Sequence, residues 1–390
     1  MRFDTILPMA AANNSKWVTL EDRFGIDPAD GIAMAVADSD YPTAPCVVEA
    51  VRKSVDMGVF GYGYDKAGYL DSLCWWMSHR HGWTVDPDWV VSTQGLGHAI
   101  ATTIDLWSEP GEGVAYFTPV YHEFRFKTER AGRTPVELPM VLTEGRYELD
   151  FEAAAQALTP DTRILLFCSP QNPSGRIWSR EELRRVAAFA EEHNLILVSD
   201  EVHCDLQYDG TPHIPMDIAA PEFRHRTITL FAASKTFNLA GMRVGQMIIP
   251  DADLRARVVQ RLTALNYDPT VMGITATAAA YTPQGNEWLA AQMAHLTRMR
   301  DIFDTAVNAI PGVKSMRLQS TFLPWVDFSG TGMESAEILR RVHGDAKLGT
   351  APGDWFGTGG ESFHRFNIAM PTAHVEAMGT RLAAAFSDLQ

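Results

Sequence analysis

Cysteine is scarce in this chain of 390 residues, and the scarcity excludes a small fold held together by disulfide bonds. The four cysteines are Cys46, Cys74, Cys168 and Cys204, and no two of them form a Cys-x-x-Cys pair. Widely spaced thiols of this kind are typical of a reducing compartment. The first residues also lack the apolar stretch of a signal peptide. We therefore expect a cytoplasmic protein.

Long apolar runs and an excess of basic residues are missing as well. No apolar segment approaches the ~20 residues that a membrane-spanning helix needs. Lysine and arginine number 33 against 48 acidic residues, which gives a formal net charge of −15. A nucleic-acid-binding protein needs a basic stripe that displaces counterions, and no such stripe is available here. We therefore expect neither a membrane nor a nucleic acid as partner.

Short apolar runs alternate with helical stretches through the middle of the chain. The runs that predict buried strands are residues 90–93, 114–117, 163–168, 196–198 and 227–231. Helical periodicity covers residues 99–106, 150–158 and 181–192, and Ser179 is a candidate N-cap for the last of these. This alternation predicts an α/β fold with a mostly parallel sheet covered by helices on both faces.

The pattern changes after about residue 285. A long helical stretch at 288–310 precedes an extended region at 313–326, a helix at 335–342 and a glycine-rich loop at 353–360. These elements predict a second, smaller α+β domain, which the first forty residues join. We place the large domain at residues 42–285 and the small domain at residues 1–41 and 286–390.

Three polar motifs begin where predicted strands end, at Ser169, Ser199 and Ser234. In an open parallel sheet, ligands bind beyond the carboxyl ends of the strands, so the three motifs predict one shared site. Lys235 follows the last of these serines. A crowded lysine amine loses its charge easily and becomes a nucleophile toward aldehydes, with which it can form a Schiff base.

The motifs taken together resemble the class I/II aminotransferase fold and, within it, the cystathionine β-lyase-like C–S lyases related to MalY and PatB. The resemblance covers nearly the whole chain. It implies a fold-type-I pyridoxal-phosphate enzyme with a mostly parallel seven-stranded sheet in its large domain. The segments that carry it are Asn-Ser-Lys-Trp (14–17), Ala-Asp-Ser-Asp-Tyr-Pro (37–42), Phe-Gly-Tyr (60–62), Arg-His-Gly-Trp (80–83), Ser-Pro-Gln-Asn-Pro-Ser-Gly (169–175), Ser-Asp-Glu-Val-His-Cys-Asp-Leu (199–206), Ser-Lys-Thr-Phe-Asn-Leu-Ala-Gly (234–241) and Gly-Glu-Ser-Phe-His-Arg-Phe-Asn (360–367).

The resemblance assigns catalytic and cofactor-binding roles around Lys235. It implies that Lys235 holds pyridoxal 5'-phosphate and acts as the general base, and that Tyr121 stacks on the pyridine ring. Asp200 would pair with the ring nitrogen and keep it protonated, so that the ring can accept electrons from a bond broken at Cα. Asn172 would hydrogen-bond the cofactor's phenolic oxygen and also bind the substrate. His203 replaces the tyrosine of many aminotransferases and resembles the lyase branch, although a histidine at a strand end is also compatible with a structural role.

The cofactor's phosphate is assigned to the loop after the strand at 90–93. Gly95, Leu96 and Gly97 resemble the phosphate loop of the family, where backbone amides and a helix start favour an anion. Ser234 and Arg243 are the other phosphate ligands that the resemblance implies. An arginine at position 243 is more typical of aminotransferases, whereas several lyases carry an uncharged residue there.

Two further residues are assigned to the substrate and to a second subunit. Arg365 resembles the arginine that binds the substrate's α-carboxylate, because a planar guanidinium matches a carboxylate with two hydrogen bonds. Tyr62 resembles the tyrosine that reaches the phosphate of the neighbouring subunit. The resemblance therefore implies a homodimer with a shared active site.

A metal site is not expected. His79 and His81 are two residues apart, rather than the four that place two ligands on one helix face, and the sequence suggests no carboxylate or thiolate partner near them.

The favoured hypothesis is a pyridoxal-phosphate-dependent carbon–sulfur β-lyase. Its substrate would be cystathionine, cysteine or an S-substituted cysteine, and its products pyruvate, ammonia and a thiol. The alternative is an aminotransferase of a small amino acid, which shares the chemistry up to loss of the Cα proton; His203 favours the lyase and Arg243 the aminotransferase. A third hypothesis is a regulatory protein that keeps the fold to bind a partner, but the intact set of Lys235, Asp200 and Arg365 favours retained catalysis.

Overall fold

The computed structural model describes residues 1–63 and 65–389. Its strands are β1 Ile32–Ala33, β2 Val90–Thr93, β3 Gly113–Thr118, β4 Thr134–Pro139, β5 Val141–Thr143, β6 Arg146–Glu148, β7 Thr162–Cys168, β8 Ile196–Asp200, β9 Thr227–Phe231, β10 Gly245–Ile248, β11 Lys314–Met316, β12 Trp325–Asp327, β13 Leu348–Gly349, β14 Ala351–Pro352 and β15 Phe363–Arg365. Its α-helices are α1 Ser15–Val18, α2 Leu20–Phe24, α3 Pro45–Met57, α4 Lys66–His81, α5 Leu96–Trp107, α6 Glu123–Arg130, α7 Phe151–Ala157, α8 Arg180–Glu192, α9 Met216–Ala219, α10 Ala252–Ala264, α11 Val271–Ala280, α12 Pro283–Asn308, α13 Ser335–Leu339 and α14 Thr372–Ala385.

The main sheet has seven strands in the order β2-β10-β9-β8-β7-β3-β4. The five strands from β9 to β4 run parallel, and β10 pairs antiparallel with both β9 and β2. Every residue of β3, β9 and β10 is buried, as expected for strands covered by helices on both faces. The predicted α/β fold with a mostly parallel seven-stranded sheet is therefore confirmed.

Helix α8 illustrates how local sequence determines an element of this fold. Ser179 is its N-cap: the hydroxyl accepts from the amide of Glu182, and the carboxylate of Glu182 accepts in return from the amide of Ser179. Leu183, Val186 and Ala190 lie on its buried face, among the residues that pack against the sheet. The predicted cap is confirmed, and the helix begins one residue earlier than its periodicity indicated.

The second sheet has four strands in the order β11-β12-β15-β14, and its pairings are antiparallel. The N-terminal segment joins this part of the molecule, because β1 pairs with β13 through Ile32 and Leu348. The strands of the main sheet lie within residues 90–248, and those of the second sheet within residues 314–365. The domain boundaries at 41/42 and 285/286 stay a prediction.

Several elements differ in their bounds from the sequence expectation, and three of them illustrate the reasons. Helix α5 begins at Leu96 rather than at residue 99, because Gly97 is accommodated in the first turn, where the amide groups need no partner within the helix. Helix α12 begins at Pro283 rather than at residue 288, with Thr282 as its N-cap. The region 313–326 contains β11 and the start of β12 with a loop between them, instead of one extended stretch.

Helix α12 is 26 residues long and carries charged and polar residues along its length. In the described part of the chain, no helix is both long enough and apolar enough to cross a membrane.

Candidate active site

A cavity of about 380 Å³ opens where β7 and β8 end and where the loop after β9 begins. The predicted site residues that line it are Gly95, Leu96, Gly97, Tyr121, Asn172, Asp200, His203, Ser234, Lys235, Arg243 and Arg365. Among the described residues, Tyr62 is not part of this lining, and its side chain is exposed. The structure thus brings together eleven of the twelve predicted residues.

Lys235 lies in the turn that follows β9. Its Nζ donates to the carbonyl oxygen of Ala37 at 2.8 Å. Burial lowers the pKa of this amine below its ordinary value, although the carboxylates of Asp38 and Asp200 oppose the shift. The amine therefore sheds its proton more readily than a surface lysine, which is what a nucleophile or a general base requires.

Asp200 is the last residue of β8 and is 5% exposed. The amide of Val202 donates to its Oδ1 at 3.3 Å. Burial raises the pKa of this carboxyl to about 6, while the positive charge of Lys235 lowers it. A carboxylate with so few partners in a buried site is suited to bind a protonated, ring-type nitrogen on a ligand.

His203 is buried, and burial is the main cause that lowers its pKa to about 3. The ring is therefore neutral at physiological pH. Its Nδ1 has no hydrogen-bond partner among residues 1–63 and 65–389. A buried nitrogen left without a partner beside a cavity is the kind of atom that a bound ligand satisfies.

Arg365 lies in β15 and is 2% exposed. Its Nη1 donates to Oδ1 of Asn172 at 3.0 Å, and its Nη2 donates to the carbonyl oxygen of Ala35 at 2.7 Å. Its Nε has no partner in the described part of the chain. Burial lowers the pKa of the guanidinium to about 10, so the group stays charged at neutral pH and offers a donor to an anion.

The start of α5 forms an anion cradle with β10. Gly95 precedes the helix with a φ of +88°, a conformation that glycine adopts without strain. A Cβ added to Gly245 would lie 2.9 Å from the amide nitrogen of Leu96, so β10 approaches the loop too closely for a side chain. Thr93 fixes the two segments by donating toward the carbonyl oxygens of Gly95 and Gly245. Ser234 and Arg243 line the cavity beside this cradle.

Several cavity residues were missed by the sequence interpretation, and Lys127 on α6 is one of them. A Cβ added to Gly97 would lie 3.2 Å from Nζ of Lys127, so the ammonium group lies against the first turn of α5. Nζ also donates to Oε2 of Glu123 at 3.0 Å. The spacing of Glu123 and Lys127, four residues apart and just after Tyr121, is the sequence feature that could have indicated this pair beside the site.

Arg23, His122 and Trp355 also line the cavity without having been predicted. Arg23 lies in the last turn of α2, His122 precedes α6, and Trp355 belongs to a 3₁₀ turn at Gly353–Phe356. These elements are short and far apart in the sequence. Periodicity therefore gave no reason to bring them together.

Side chains from other segments that carry the family resemblance hold residues 35–41 against the site. Lys16 forms a buried ion pair with Asp40, with Nζ 2.8 Å from Oδ1. Asn367 donates through Nδ2 to the carbonyl oxygens of Val36 and Asp38, at 2.7 and 2.8 Å. Asn238 donates to the carbonyl oxygen of Ser39 at 2.9 Å. Side chains from three distant segments therefore fix the backbone that accepts from Lys235 and Arg365.

The expectation that His81 lacks a carboxylate partner is wrong. Its Nε2 lies 2.9 Å from Oδ1 of Asp205, and Cys204 contributes a third ligand-type atom within 4.8 Å of these groups. Trp76 and Thr236 also donate to the Asp205 carboxylate. The sequence did not reveal this pairing because the two partners are 124 residues apart. The carboxylate is satisfied by buried donors, one of which is adjacent to Lys235.

A lysine that sheds its proton readily, a buried carboxyl and a buried guanidinium around one cavity define a site for a small anionic ligand that reacts with amines. The chain belongs to the aminotransferase class I and II family, whose model matches residues 29–382. The predicted family membership, including the similarity to PatB and MalY, is confirmed.

Three similar proteins illustrate this membership. The chain is 34% identical to cystathionine beta-lyase PatB of Bacillus subtilis, with 99% of this chain and 100% of that protein covered. It is 31% identical to protein MalY of Escherichia coli, with 93% of each covered. Cystalysin from Treponema denticola, whose crystal structure contains a pyridoxal 5'-phosphate cofactor, is 29% identical with a TM-score of 0.94, over 100% of this chain and 99% of that chain.

Proposed function

We propose that this protein is a pyridoxal-phosphate-dependent carbon–sulfur β-lyase. The observation that carries the proposal is the convergence of Lys235, Asp200, His203 and Arg365 on one cavity. PatB, a cystathionine beta-lyase, supports the lyase, and cystalysin, whose structure contains pyridoxal 5'-phosphate, supports the cofactor. The substrate class is an amino acid with a thiolate leaving group on Cβ: cystathionine, cysteine or an S-substituted cysteine.

The residues of the cavity fit pyridoxal phosphate group by group. The cradle at the start of α5 offers amides to the phosphate, and Lys127 adds a positive charge against it. Asp200 would pair with the ring nitrogen, Asn172 and the unsatisfied His203 with the polar side of the ring, and Tyr121 with its face. When bound, the cofactor supplies an electron sink for the bond broken at Cα.

The chain's own groups then have separable tasks. Arg365 binds the substrate's α-carboxylate and fixes the orientation of the Cα–H bond. Lys235, whose pKa is lowered by burial, takes the Cα proton at Nζ as general base. The thiolate leaves from Cβ with the bonding electrons, and the three-carbon remainder is hydrolysed to pyruvate and ammonia. Asp200, held in a buried site, maintains the charge that the ring nitrogen needs throughout.

Aminotransferase activity is the competing function, and Arg243 at the cavity is the observation in its favour. The two reactions share every step up to loss of the Cα proton. They differ because only the lyase needs a leaving group on Cβ and only the aminotransferase needs a keto acid.

The test is an incubation of cofactor-loaded protein with L-cystathionine, and separately with S-methyl-L-cysteine, without any keto acid. We expect sustained and equal release of pyruvate and ammonia over many turnovers. The Lys235→Ala variant is the control for release by free cofactor. Release limited to one equivalent per subunit, or release that depends on an added keto acid, would contradict the lyase.

We also propose a homodimer in which Tyr62 completes the site of the neighbouring subunit. Four neighbouring residues with large side chains are exposed in this chain: Met57, Val59, Phe60 and Tyr62. An exposed apolar run of this kind favours burial against a second copy.

Mixing two defective variants tests the shared site. Tyr62→Ala and Lys235→Ala dimers are dissociated, mixed and reassociated, and we expect activity to recover because hybrid dimers contain one site without either defect. No recovery, although mass measurements show that hybrids form, would contradict the role of Tyr62.

A reducing, cytoplasmic location is proposed as well. All four cysteines are free thiols, and Cys168 and Cys204 are buried. Fractionation of the native host with a cytoplasmic marker enzyme tests the location.

A further inference from the structure

Two positive charges at the cavity, Arg23 and Arg243, have no hydrogen-bond or ion-pair partner among the described residues. The side chain of Arg23 lines the cavity, yet it makes no hydrogen bond or ion pair with any residue in the described ranges 1–63 and 65–389. Arg23 is exposed to solvent, and its guanidinium lies against two aromatic rings. Its Cζ lies 5.2 Å from the ring centroid of Trp355 and 5.4 Å from that of Phe24.

Arg243 is assigned to the phosphate of the proposed cofactor, and the remaining cations of the cavity have partners. Arg365 donates to Asn172 and to the backbone, and Lys127 is paired with Glu123. The chain as a whole has 48 acidic residues against 33 basic ones, so acidic partners are not scarce. A guanidinium that faces a cavity and has no acidic partner is therefore available to an anionic ligand.

The stacking arrangement suits this task. A guanidinium held by its face against aromatic rings keeps its N–H edge free, and the planar edge matches a carboxylate. The ring of His122 packs edge-to-face with Trp355, with centroids 6.0 Å apart. His122 stays neutral at physiological pH because its pKa is lowered to about 4, mainly by burial. The rings beside Arg23 are thus aromatic and uncharged, and the nearby charges of Glu123 and Lys127 are paired with each other. The arginine therefore offers the unpaired charge on this side of the cavity.

We propose that Arg23 is a specificity-determining residue that binds a carboxylate on the sulfur substituent of the substrate. The inference rests on the proposed β-lyase function, in which Arg365 takes the α-carboxylate. Arg23 would then select S-substituted cysteines with an anionic distal end over those with a neutral one. Cystathionine belongs to the selected class, because its distal end carries a second amino-carboxylate.

The test uses two substrates of nearly equal shape, S-(2-carboxyethyl)-L-cysteine and S-(2-carbamoylethyl)-L-cysteine, which differ in the charge of the distal group. We expect the wild-type enzyme to favour the carboxylate in kcat/KM by about tenfold to a hundredfold, the range of hydrogen bonds to a charged group. Arg23→Gln should remove this preference, because kcat/KM for the carboxylate compound falls much more than kcat/KM for the carbamoyl compound. Arg23→Lys should restore part of the preference.

Arg130→Gln is the matched control, because Arg130 is also exposed and stacked, 5.4 Å above the ring of Phe126, but does not line the cavity in the described part of the chain. Its preference should equal that of the wild type. Calorimetric dissociation constants for the two compounds, measured on Lys235→Ala protein with and without Arg23→Gln, give a readout that does not depend on turnover. Lys235→Ala protein should bind the carboxylate compound more tightly than the carbamoyl compound. This difference should disappear when Arg23→Gln is added.

The outcomes separate the two proposals. Equal kcat/KM for the two compounds in the wild type, or a preference that persists in Arg23→Gln, overturns the role of Arg23 and leaves the lyase standing. No release of pyruvate from either compound without a keto acid overturns the lyase and, with it, the assignment of Arg23 to a sulfur substituent.

Discussion

The floor and the mouth of the cavity are built in different ways. The floor is formed by Asp200, His203 and Arg365, which are 5%, 2% and 2% exposed and lie at or near strands. The mouth carries Arg23 and Trp355, which lie on short elements and are more accessible to solvent. Burial dominates the chemistry of the floor, whereas charge and stacking dominate that of the mouth. We infer that the floor determines which reaction occurs and the mouth determines which substrate enters.

Burial shifts the floor groups toward their neutral forms. It raises the pKa of Asp200 to about 6, lowers that of His203 to about 3 and also lowers that of Lys235. Arg365 remains charged, since its pKa is about 10. In the cofactor-free protein, Arg365 therefore stays charged at neutral pH. The ionisation of Asp200 and Lys235 depends on what is bound beside them.

The largest effect should come from Lys235→Ala. Loss of the amine removes both the attachment point of the cofactor and the general base, so we expect turnover to fall by about 10⁴-fold or more and the imine absorbance band to vanish. Lys347→Met, a change at an exposed lysine that pairs with Asp30, is the control and should keep both. Survival of the band in Lys235→Ala would show that Lys235 is not the residue to which the cofactor is attached.

Arg365→Gln should have the next largest effect. Two hydrogen bonds to a carboxylate at roughly 1.5–3 kcal/mol each correspond to a fall in kcat/KM of about 10²- to 10⁴-fold. Steady-state kinetics with substrates of different sulfur substituents should show the same loss for each, because the α-carboxylate is common to them. A loss that varied with the substituent would place Arg365 at the mouth instead.

Asp200→Asn should change how the stability of the cofactor-free protein depends on pH. The carboxyl has a pKa of 3.8 as its ordinary value and about 6 in the folded chain, so folding favours its protonated form. The wild type therefore loses stability as pH rises through this window, by about 3 kcal/mol at 1.36 kcal/mol per pKa unit. Asparagine does not ionise, so the variant should be the more stable protein at pH 7, with an advantage that disappears near pH 4.

Urea unfolding of both cofactor-free proteins at equal concentration measures this difference. An advantage of Asp200→Asn that stays constant from pH 4 to pH 7 would contradict the buried, raised carboxyl.

His122→Phe should have the smallest effect of the series. Because the pKa of His122 is about 4, the ring does not change charge where the enzyme is assayed. The kcat/KM profile between about pH 5.5 and pH 8 should therefore keep its shape in the variant. An acid limb that moves or disappears would make His122 a titrating group of the mouth.

The sequence predicted the floor well because its signals are local. Asp200 and Lys235 each follow an apolar run that reads as a strand, and the observed strands Val90–Thr93 and Thr227–Phe231 have the predicted bounds. Parallel strands bring their carboxyl ends to one edge of the sheet, so the motifs had to meet there.

The mouth could not be predicted in the same way. Nothing near Arg23 distinguishes it from a surface arginine, and its partner Trp355 comes from the opposite end of the chain. The pairing of His81 with Asp205 was missed for the same reason, because long-range contacts between unlike elements leave no periodic trace. Tyr62 stays a prediction, since its proposed role depends on a second subunit.

The most direct test of the β-lyase follows the imine absorbance of the cofactor-loaded protein after addition of excess L-cystathionine without a keto acid. Elimination leaves the cofactor as an aldehyde, so the band should return once the substrate is consumed, with many equivalents of thiol released per subunit. A band that is lost after about one equivalent, and returns only when a keto acid is added, would contradict the account and identify an aminotransferase.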